Sequence, residues 1–554
     1  MKLVNKIFAL LFLLHVSAHA AIDDKTFVII ISSHNNENFC EQNLASVFNQ
    51  TYPHYRVIYI DDCSSDNTVK KVESCVLQNH QKERFTLVKN SERKGVTENY
   101  YRIINTCNDE EIVVLINGED WLSDNRVLEY LNRYYSQADI WMTYGSYFDY
   151  PAMKRGELSH KVPYKVLKNG SIRAYLSKGW VLSPLQTFYA KLFKKIKLQD
   201  VLYQGAFLQS RADQAIMIPM TEMAGKHSLF IEDAVYVHNT TNPLSEEKIN
   251  LEKRGECMRY LLTLSPYKNI MPSLLNDNRK SRTLTADLVI FSYDRPLQLY
   301  ACLESIQRYM TGLGKITVIY RTSDKSYAQG YLELQGKFKH INFVAQSANY
   351  QKDFKPMLLS AVYGYSAEHV FFAFDDLVVK DAVNIPECVE AMEKTGAHGF
   401  YLSLGKDIDY CHKLHCKQQV PESISLGNEI YAWQFLTGSN DWAVPNSLSM
   451  TLFRKSEIHK DLADMPYTSP SSLEYYWKET ADMRAVGLFY PESKVVNIPL
   501  NNVQSPSPKA GVELYTTAEL QALFKNGMKM DISPLFRIKN HSIHVEFEPS
   551  FKKR

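Results

Sequence analysis

Excess charge of one sign is the first thing this sequence lacks. Its 63 Lys and Arg stand against 61 Asp and Glu, a formal net charge of +2 over 554 residues. Without a large basic surface, dedicated nucleic-acid binding through phosphate contacts is excluded as a main task, and no nucleic-acid partner is expected. Long hydrophobic runs are missing too, apart from one at the start; nothing beyond it approaches the ~20 apolar residues of a membrane-spanning helix. Cysteine is scarce. The nine residues are odd in number and their spacing announces no disulfide framework. The tightest group, Cys411-His412-Lys413-Leu414-His415-Cys416, crowds potential zinc ligands together instead of separating them into pairs. One disulfide or a plain loop is expected there, not a structural zinc site. Also absent is a Gly-rich phosphate loop with a following Lys, which argues against nucleotidyl transfer.

What is present describes a folded, exported chain. Apolar residues make up 45% and charged residues 22%, ordinary for globular protein. The length exceeds what one core organises, so two or more domains are expected. Aromatics reach 12%, with 35 Tyr; such rings fill cores and also stack on sugars and bases in clefts. At the N-terminus, Lys2 and Lys6 precede the apolar run Ile7 to Val16, followed by Ala18-His19-Ala20. This pattern predicts a secretory signal over residues 1–20 and a soluble mature chain without a stable membrane span. An uncleaved anchor is the alternative. The sequons at Asn49, Asn169 and Asn239 are compatible with a secretory lumen.

Short apolar strands alternate with amphipathic helices. The first set runs Phe27–Ile31, Arg56–Ile60, Phe85–Val88 and Ile112–Ile116, and the rhythm restarts at Leu288–Phe291, Ile316–Tyr320, Ile341–Val344 and His369–Phe374. Almost wholly apolar strands with helical crossovers predict an α/β fold with a mainly parallel, buried sheet, here twice over. Both sets open on a polar turn, Ser32 to Asn36 and Ser292 to Pro296.

The first set carries motifs in a recognisable order. FVIIISSHNNENFCEQNLASVFNQTYPHYRVIYIDDCSSDNT contains Gln50-Thr51-Tyr52 and then Asp61-Asp62-Cys63-Ser64-Ser65-Asp66. Asn90, Gly95 and Asn99 follow at N-x-x-x-x-G-x-x-x-N spacing, and the fourth strand ends in LINGEDWL. This series resembles family 2 glycosyltransferases, which have the GT-A fold. The resemblance implies two tandem GT-A-like, Rossmann-like domains: 24–245 and a more remote 285–505, with a helical linker at 246–284 and a C-terminal extension at 506–554. It also implies transfer of a sugar from a nucleotide-diphosphate donor, of UDP type, to a glycan, lipid or protein acceptor. The alternative is a non-catalytic carbohydrate-binding or scaffold protein that keeps the fold.

By the same resemblance Ser32, Asp61 and Asp62 hold the nucleotide, although Asp61 or Asp62 would also serve as a cap for the next helix. The family's D-x-D is altered to Asn117-Gly118-Glu119, followed by Asp120. Asn117 keeps a donor-binding role without charge. Glu119 and Asp120 are the candidate ligands of a divalent cation, Mn²⁺ or Mg²⁺, which neutralises a diphosphate leaving group. Asp213, in SRADQAIM, is the candidate base for an inverting transfer, or else a helix N-cap. His238 is either a further ligand or a structural residue. In the second set, Asp375 and Asp376 stand where donor and metal groups would, and Glu474 where a base would. Arg321 replaces the acidic run after the second strand, and a basic residue there favours phosphate over uracil. That domain is open to three roles: a second transfer, acceptor binding or structure.

Overall fold

Strand β1 (Phe27–Ser33) is buried along its whole length, which a strand achieves only where both faces of its sheet are covered. The chain then winds through α1 (Cys40–Phe48), β2 (Tyr55–Asp61), α2 (Thr68–Gln78), β3 (Phe85–Lys89), α3 (Val96–Ile104) and β4 (Ile112–Asn117). α1 shows how the helices cover the sheet: Cys40, Asn43, Leu44 and Val47 are its buried residues. That spacing places them on one stripe. Leu44 and Val47 join Ile29, Val57 and Val114 in the core, where each buried aliphatic side chain contributes roughly 1.5–3 kcal/mol.

The computed structural model describes residues 24–137, 139–245, 248, 251–275, 284–501 and 514–554; the leader read at residues 1–20 lies outside them. The chain divides into two units. The first holds the described residues of Met1–Ile196 and Phe207–Asp277, the second those of Lys197–Ala206 and Asn278–Arg554. No described helix is long and apolar enough to cross a membrane.

The first unit adds β5 (Trp121–Leu122), β6 (Met142–Tyr150), β7 (Lys154–Arg155), β8 (Gln186–Tyr189), α4 (Ala212–Ala224) and β9 (Ser228–Asn239). Its nine-stranded sheet has the order β3-β2-β1-β4-β8-β6-β9-β5, with β7 on β6. β1 is parallel to β2 and β4, and β2 to β3; β8 is antiparallel to β4 and β6, and β9 parallel to β6. The strand order reverses at β1 and β4, and ligands of open α/β sheets bind outside the carboxyl ends at such a point. Of the segment read as a linker, residues 248 and 251–275 belong to this unit. The buried Glu222 explains why: it receives Arg173 through two bonds of 2.7 and 2.9 Å and the Tyr267 amide at 3.0 Å.

The second unit repeats the plan. Its elements are β10 (Ala286–Tyr293), α5 (Pro296–Tyr309), β11 (Leu313–Arg321), α6 (Lys325–Lys337), β12 (Asn342–Ala345), α7 (Tyr350–Tyr363) and β13 (His369–Phe374). After them come β14 (Leu377–Val379), β15 (Gly399–Tyr401), β16 (Ile424–Gly427), β17 (Ile430–Gln434), β18 (Thr451–Arg454), α8 (Pro470–Trp477), β19 (Val486–Phe489) and β20 (Val495–Asn497). The sheet order is β12-β11-β10-β13-β18-β15-β19-β17-β16. Its first seven strands match the first sheet in order and in every parallel or antiparallel pairing. The short pair β5–β9 also has its counterpart, in β14–β20. The duplication of architecture expected from the sequence is therefore real. The C-terminal residues are part of this unit too, through a helix at Thr517–Lys525 capped by Thr516 and Glu519.

Candidate functional site

The carboxyl ends of β1, β2 and β4 bring Ser32, Asp61 and Asn117 side by side, Ser32 paired with Asn117 and Ser33 with Asp61. Gly118 sets how closely the β4 turn approaches the β1 turn. A Cβ there would lie 2.6 Å from Asn36 Nδ2 and 2.7 Å from Ser33. The turn is also held from α1, whose Asn43 donates its amide to the carbonyls of Asn117 and Asp120 at 3.0 and 2.6 Å. Sequence reasoning missed Asn43; a buried polar residue on the apolar stripe of α1 was the available signal. Gln50 of the Q-T-Y element is likewise structural. It donates to the Asp124 carbonyl and accepts the Leu128 amide.

The two aspartates after β2 divide their work. Asp61 is 2% exposed; its Oδ2 accepts the Ser64 amide at 3.1 Å, while its buried Oδ1 meets no donor. Asp62 is spent on the loop of the Asn90–Asn99 motif. Its Oδ1 accepts Asn90 Nδ2 at 2.8 Å and the Lys94 amide at 2.9 Å, and its Oδ2 the Gly95 amide at 2.9 Å. Burial pushes this carboxyl up, but those donors outweigh it and hold it below the usual carboxylate range. Neither residue caps α2. Asp66 accepts the Thr68 amide and hydroxyl instead.

The acidic pair after β4 divides in the same way. Asp120 is fully buried and acts as a latch. Its Oδ2 accepts the Tyr236 hydroxyl at 2.7 Å and Asn117 Nδ2 at 2.9 Å, and its Oδ1 accepts the Asn239 amide at 2.7 Å. It joins the β4 turn to β9, and its oxygens are committed to the fold. Glu119 is half-buried and lies near His238. Burial and the neighbouring Asp120 push its carboxyl up to about 7, against the charge of His238 and a hydrogen bond from Asn36. His238 Nδ1 lies 3.0 Å from Asp149 Oδ1, a contact that orients the ring. A carboxylate and an imidazole so oriented suit a hard divalent cation whose other ligands are phosphate oxygens and water. Glu119 and His238 fit that group, where Glu119 and Asp120 were expected. Among the described residues no cluster of three or more His, Cys, Asp or Glu is arranged to hold a metal by itself.

Asp213 stands inside the first turn of α4, half-buried, and is not its cap; that position belongs to Arg211, whose φ is +63°. The loop before it is moored to α3 by Thr97 Oγ1, which donates to the Leu208 carbonyl at 2.6 Å. Asp213 thus follows a loop tied to the stretch that Asp62 holds.

In the second unit Asp375 and Asp376 do not form a vacant acidic pair. Arg295, 9% exposed, reaches both carboxylates with Nη1 at 3.2 Å. Asp375 Oδ2 also accepts the Ser292 hydroxyl at 2.7 Å and the Tyr293 amide at 3.3 Å, and Asp376 Oδ1 accepts Asn497 Nδ2 at 2.8 Å. Burial pushes the Asp375 carboxyl up to about 6, Arg295 opposing. A built-in guanidinium occupies the place expected for donor and metal, so these residues are corrected from ligands to an internal ion triad. Glu474 lies in α8 with its carboxyl raised by burial. All nine cysteines are free thiols, Cys411 facing Cys416 across a hairpin.

Known proteins share the first unit's pattern. The model of glycosyl transferase family 2 matches residues 28–202. The bifunctional glycosyltransferase pgtA of Dictyostelium discoideum is 25% identical over 189 residues, 31% of this chain and 24% of that protein. The putative teichuronic acid biosynthesis glycosyltransferase TuaG of Bacillus subtilis (strain 168) is 28% identical over 98 residues, 17% of this chain and 37% of that one. The chain thus spans well under half the length of either relative. Among solved structures, S. aureus TarS 1–349 in complex with UDP-GlcNAc is similar at 17% identity and a TM-score of 0.34, covering 43% of this chain and 65% of that one. Motif order and family model agree over residues 28–202, where the chain matches glycosyl transferase family 2.

Proposed function

We propose that the first unit transfers a sugar from a nucleotide-diphosphate donor, of UDP type, to a hydroxyl of a glycan, lipid or protein acceptor. The observation that carries the reading is Asp61 Oδ1, a buried acceptor without a donor at the carboxyl edge of the sheet where the strand order reverses. A carboxylate so placed accepts a base N–H or a ribose hydroxyl, and leaving it unpaired in the free protein is costly. Ser32 and Asn117 flank it as hydroxyl and amide contacts to the donor. Asp62 acts indirectly by holding the Asn90–Gly95 loop.

A divalent cation, Mn²⁺ or Mg²⁺, supplies neutralisation of the diphosphate when bound, and Glu119 and His238 are the residues that would hold it. Asp149 orients His238, and Asp120 keeps the turn in register. Asp213 takes the proton of the acceptor hydroxyl as that oxygen attacks the anomeric carbon from the side opposite the leaving group, which inverts the centre. A second reading, a carbohydrate-binding or scaffold protein without turnover, is favoured by Asn117, whose neutral side chain serves Asp120.

Donor hydrolysis separates the readings. UDP-sugars incubated with the full chain release UDP in the presence of Mn²⁺, and Asp61→Asn weakens UDP binding about 10–100-fold, as expected for a lost hydrogen bond to a charged group. Binding without release selects the second reading. No nucleotide bound at millimolar concentration ends both roles for this site. Export through residues 1–20 belongs to the same proposal and is checked by sequencing the N-terminus of the secreted protein, expected at Ala21.

A further inference from the structure

The position that Asp61 holds in the first sheet is held in the second by Arg321. Each closes the second strand opposite the end of the first, in the pairs Ser33–Asp61 and Tyr293–Arg321. The Arg321 guanidinium lies between two rings, 3.7 Å from the Tyr293 centroid and 4.1 Å from that of Tyr350. Among the described residues it has no ion-pair partner. Asp294 feels its charge, but Asp294 Oδ1 accepts the Ser323 amide at 2.9 Å.

Arg321, Tyr293 and Tyr350 line a cavity of about 350 Å³ together with Arg295, Gln346 and Thr468. Arg295, whose buried Nε–H meets no acceptor, stands behind the same wall. The one carboxylate in the lining, Asp375, is already bonded to Arg295, Ser292 and the Tyr293 amide. The wall therefore carries an unpaired guanidinium and aromatic faces, with an orphaned buried donor behind it and its acid neutralised from within.

We propose that the second unit binds a sugar bearing an oxyanion, phosphate or carboxylate, in this cavity, with Arg321 as the anion fork and without a metal ion. A guanidinium stacked between rings keeps its N–H edge for a ligand, and its planar fork matches either oxyanion through two bonds. The rings remove the freedom that a surface arginine loses on binding. The volume sits at the small end of ligand sites, fitting a charged sugar ring better than a nucleotide sugar. Arg295 holds Asp375 and Asp376, so a divalent cation has no vacant carboxylate pair to enter. The proposal stands whether or not the first unit transfers a sugar.

The test is calorimetric titration of the full chain in EDTA with glucose 1-phosphate, glucuronate and glucose. A charged sugar is expected to bind and glucose to fail at the same concentrations; the better of the two charged sugars identifies the oxyanion. Arg321→Gln should weaken binding at least tenfold at an unchanged melting temperature. Arg321→Lys, which keeps the charge and loses the fork, should fall between. Equal binding of glucose overturns the proposal, as does failure of both charged sugars. Binding that survives Arg321→Gln overturns it as well, since the ligand then sits elsewhere.

Discussion

The fourth strand of each sheet ends in an acidic pair just before a short strand that pairs back, Glu119-Asp120 before β5 and Asp375-Asp376 before β14. In the first unit one acid latches the fold through Tyr236 and Asn239, and the other stands near an imidazole with its carboxyl raised to about 7. In the second unit Arg295, from the turn before α5, reaches both acids. The same strand ending thus has one acid held by a hydroxyl and amides in the first sheet, and both acids held by a guanidinium in the second. A residue two places beyond the first strand makes that difference, and no inspection of the acidic pair alone reveals it.

Removing the internal cation is the strongest way to break the comparison. Arg295→Ala leaves two carboxylates near each other with their buried partner gone, and should destabilise the second unit by about 3–5 kcal/mol in a urea titration. Glu119→Gln should stay within about 0.5 kcal/mol of the parent, because no partner is stranded. Equal effects of the two changes would erase the distinction.

A smaller effect is expected where the first site is tightest. Gly118→Ala puts a methyl group 2.6 Å from Asn36 Nδ2 and 2.7 Å from Ser33, an overpacking that should cost about 1–3 kcal/mol in the same titration. A neutral result would mean that the β1 and β4 turns are not held together there.

The smallest effect lies in acid. The Asp62 carboxyl is held below its usual range in the folded protein, so its contribution is present above the ordinary carboxylate range and is lost as pH falls through the folded value. Stability of the parent relative to Asp62→Asn should therefore shrink on acidification. A difference that stays flat from neutral to acid pH would assign Asp62 no charged role.

The sheets were legible because strands buried on both faces read as unbroken apolar runs. The polar residues that close them, Ser32, Ser33, Asp61 and Asn117, extend each strand past its apolar run and carry the site. The antiparallel strands were harder: β6, MTYGSYFDY, mixes polar and aromatic residues and has no simple period. Asp120 and Asp62 were legible as acids but not as latches. Their partners are amides and hydroxyls as far as 119 residues away, and no local spacing encodes such a pairing. Arg295 was visible beside Asp294 and Pro296, yet its link to Asp375 spans 80 residues.

The Asn239 amide that closes the Asp120 latch belongs to a sequon, and the side-chain nitrogen to which a glycan would be joined is buried. In a host that glycosylates nascent chains, folding and modification therefore compete for this one asparagine. A sugar added first keeps β9 from closing on the β4 turn. Occupancy at Asn239, read by mass spectrometry, becomes a clock for how fast the first unit folds.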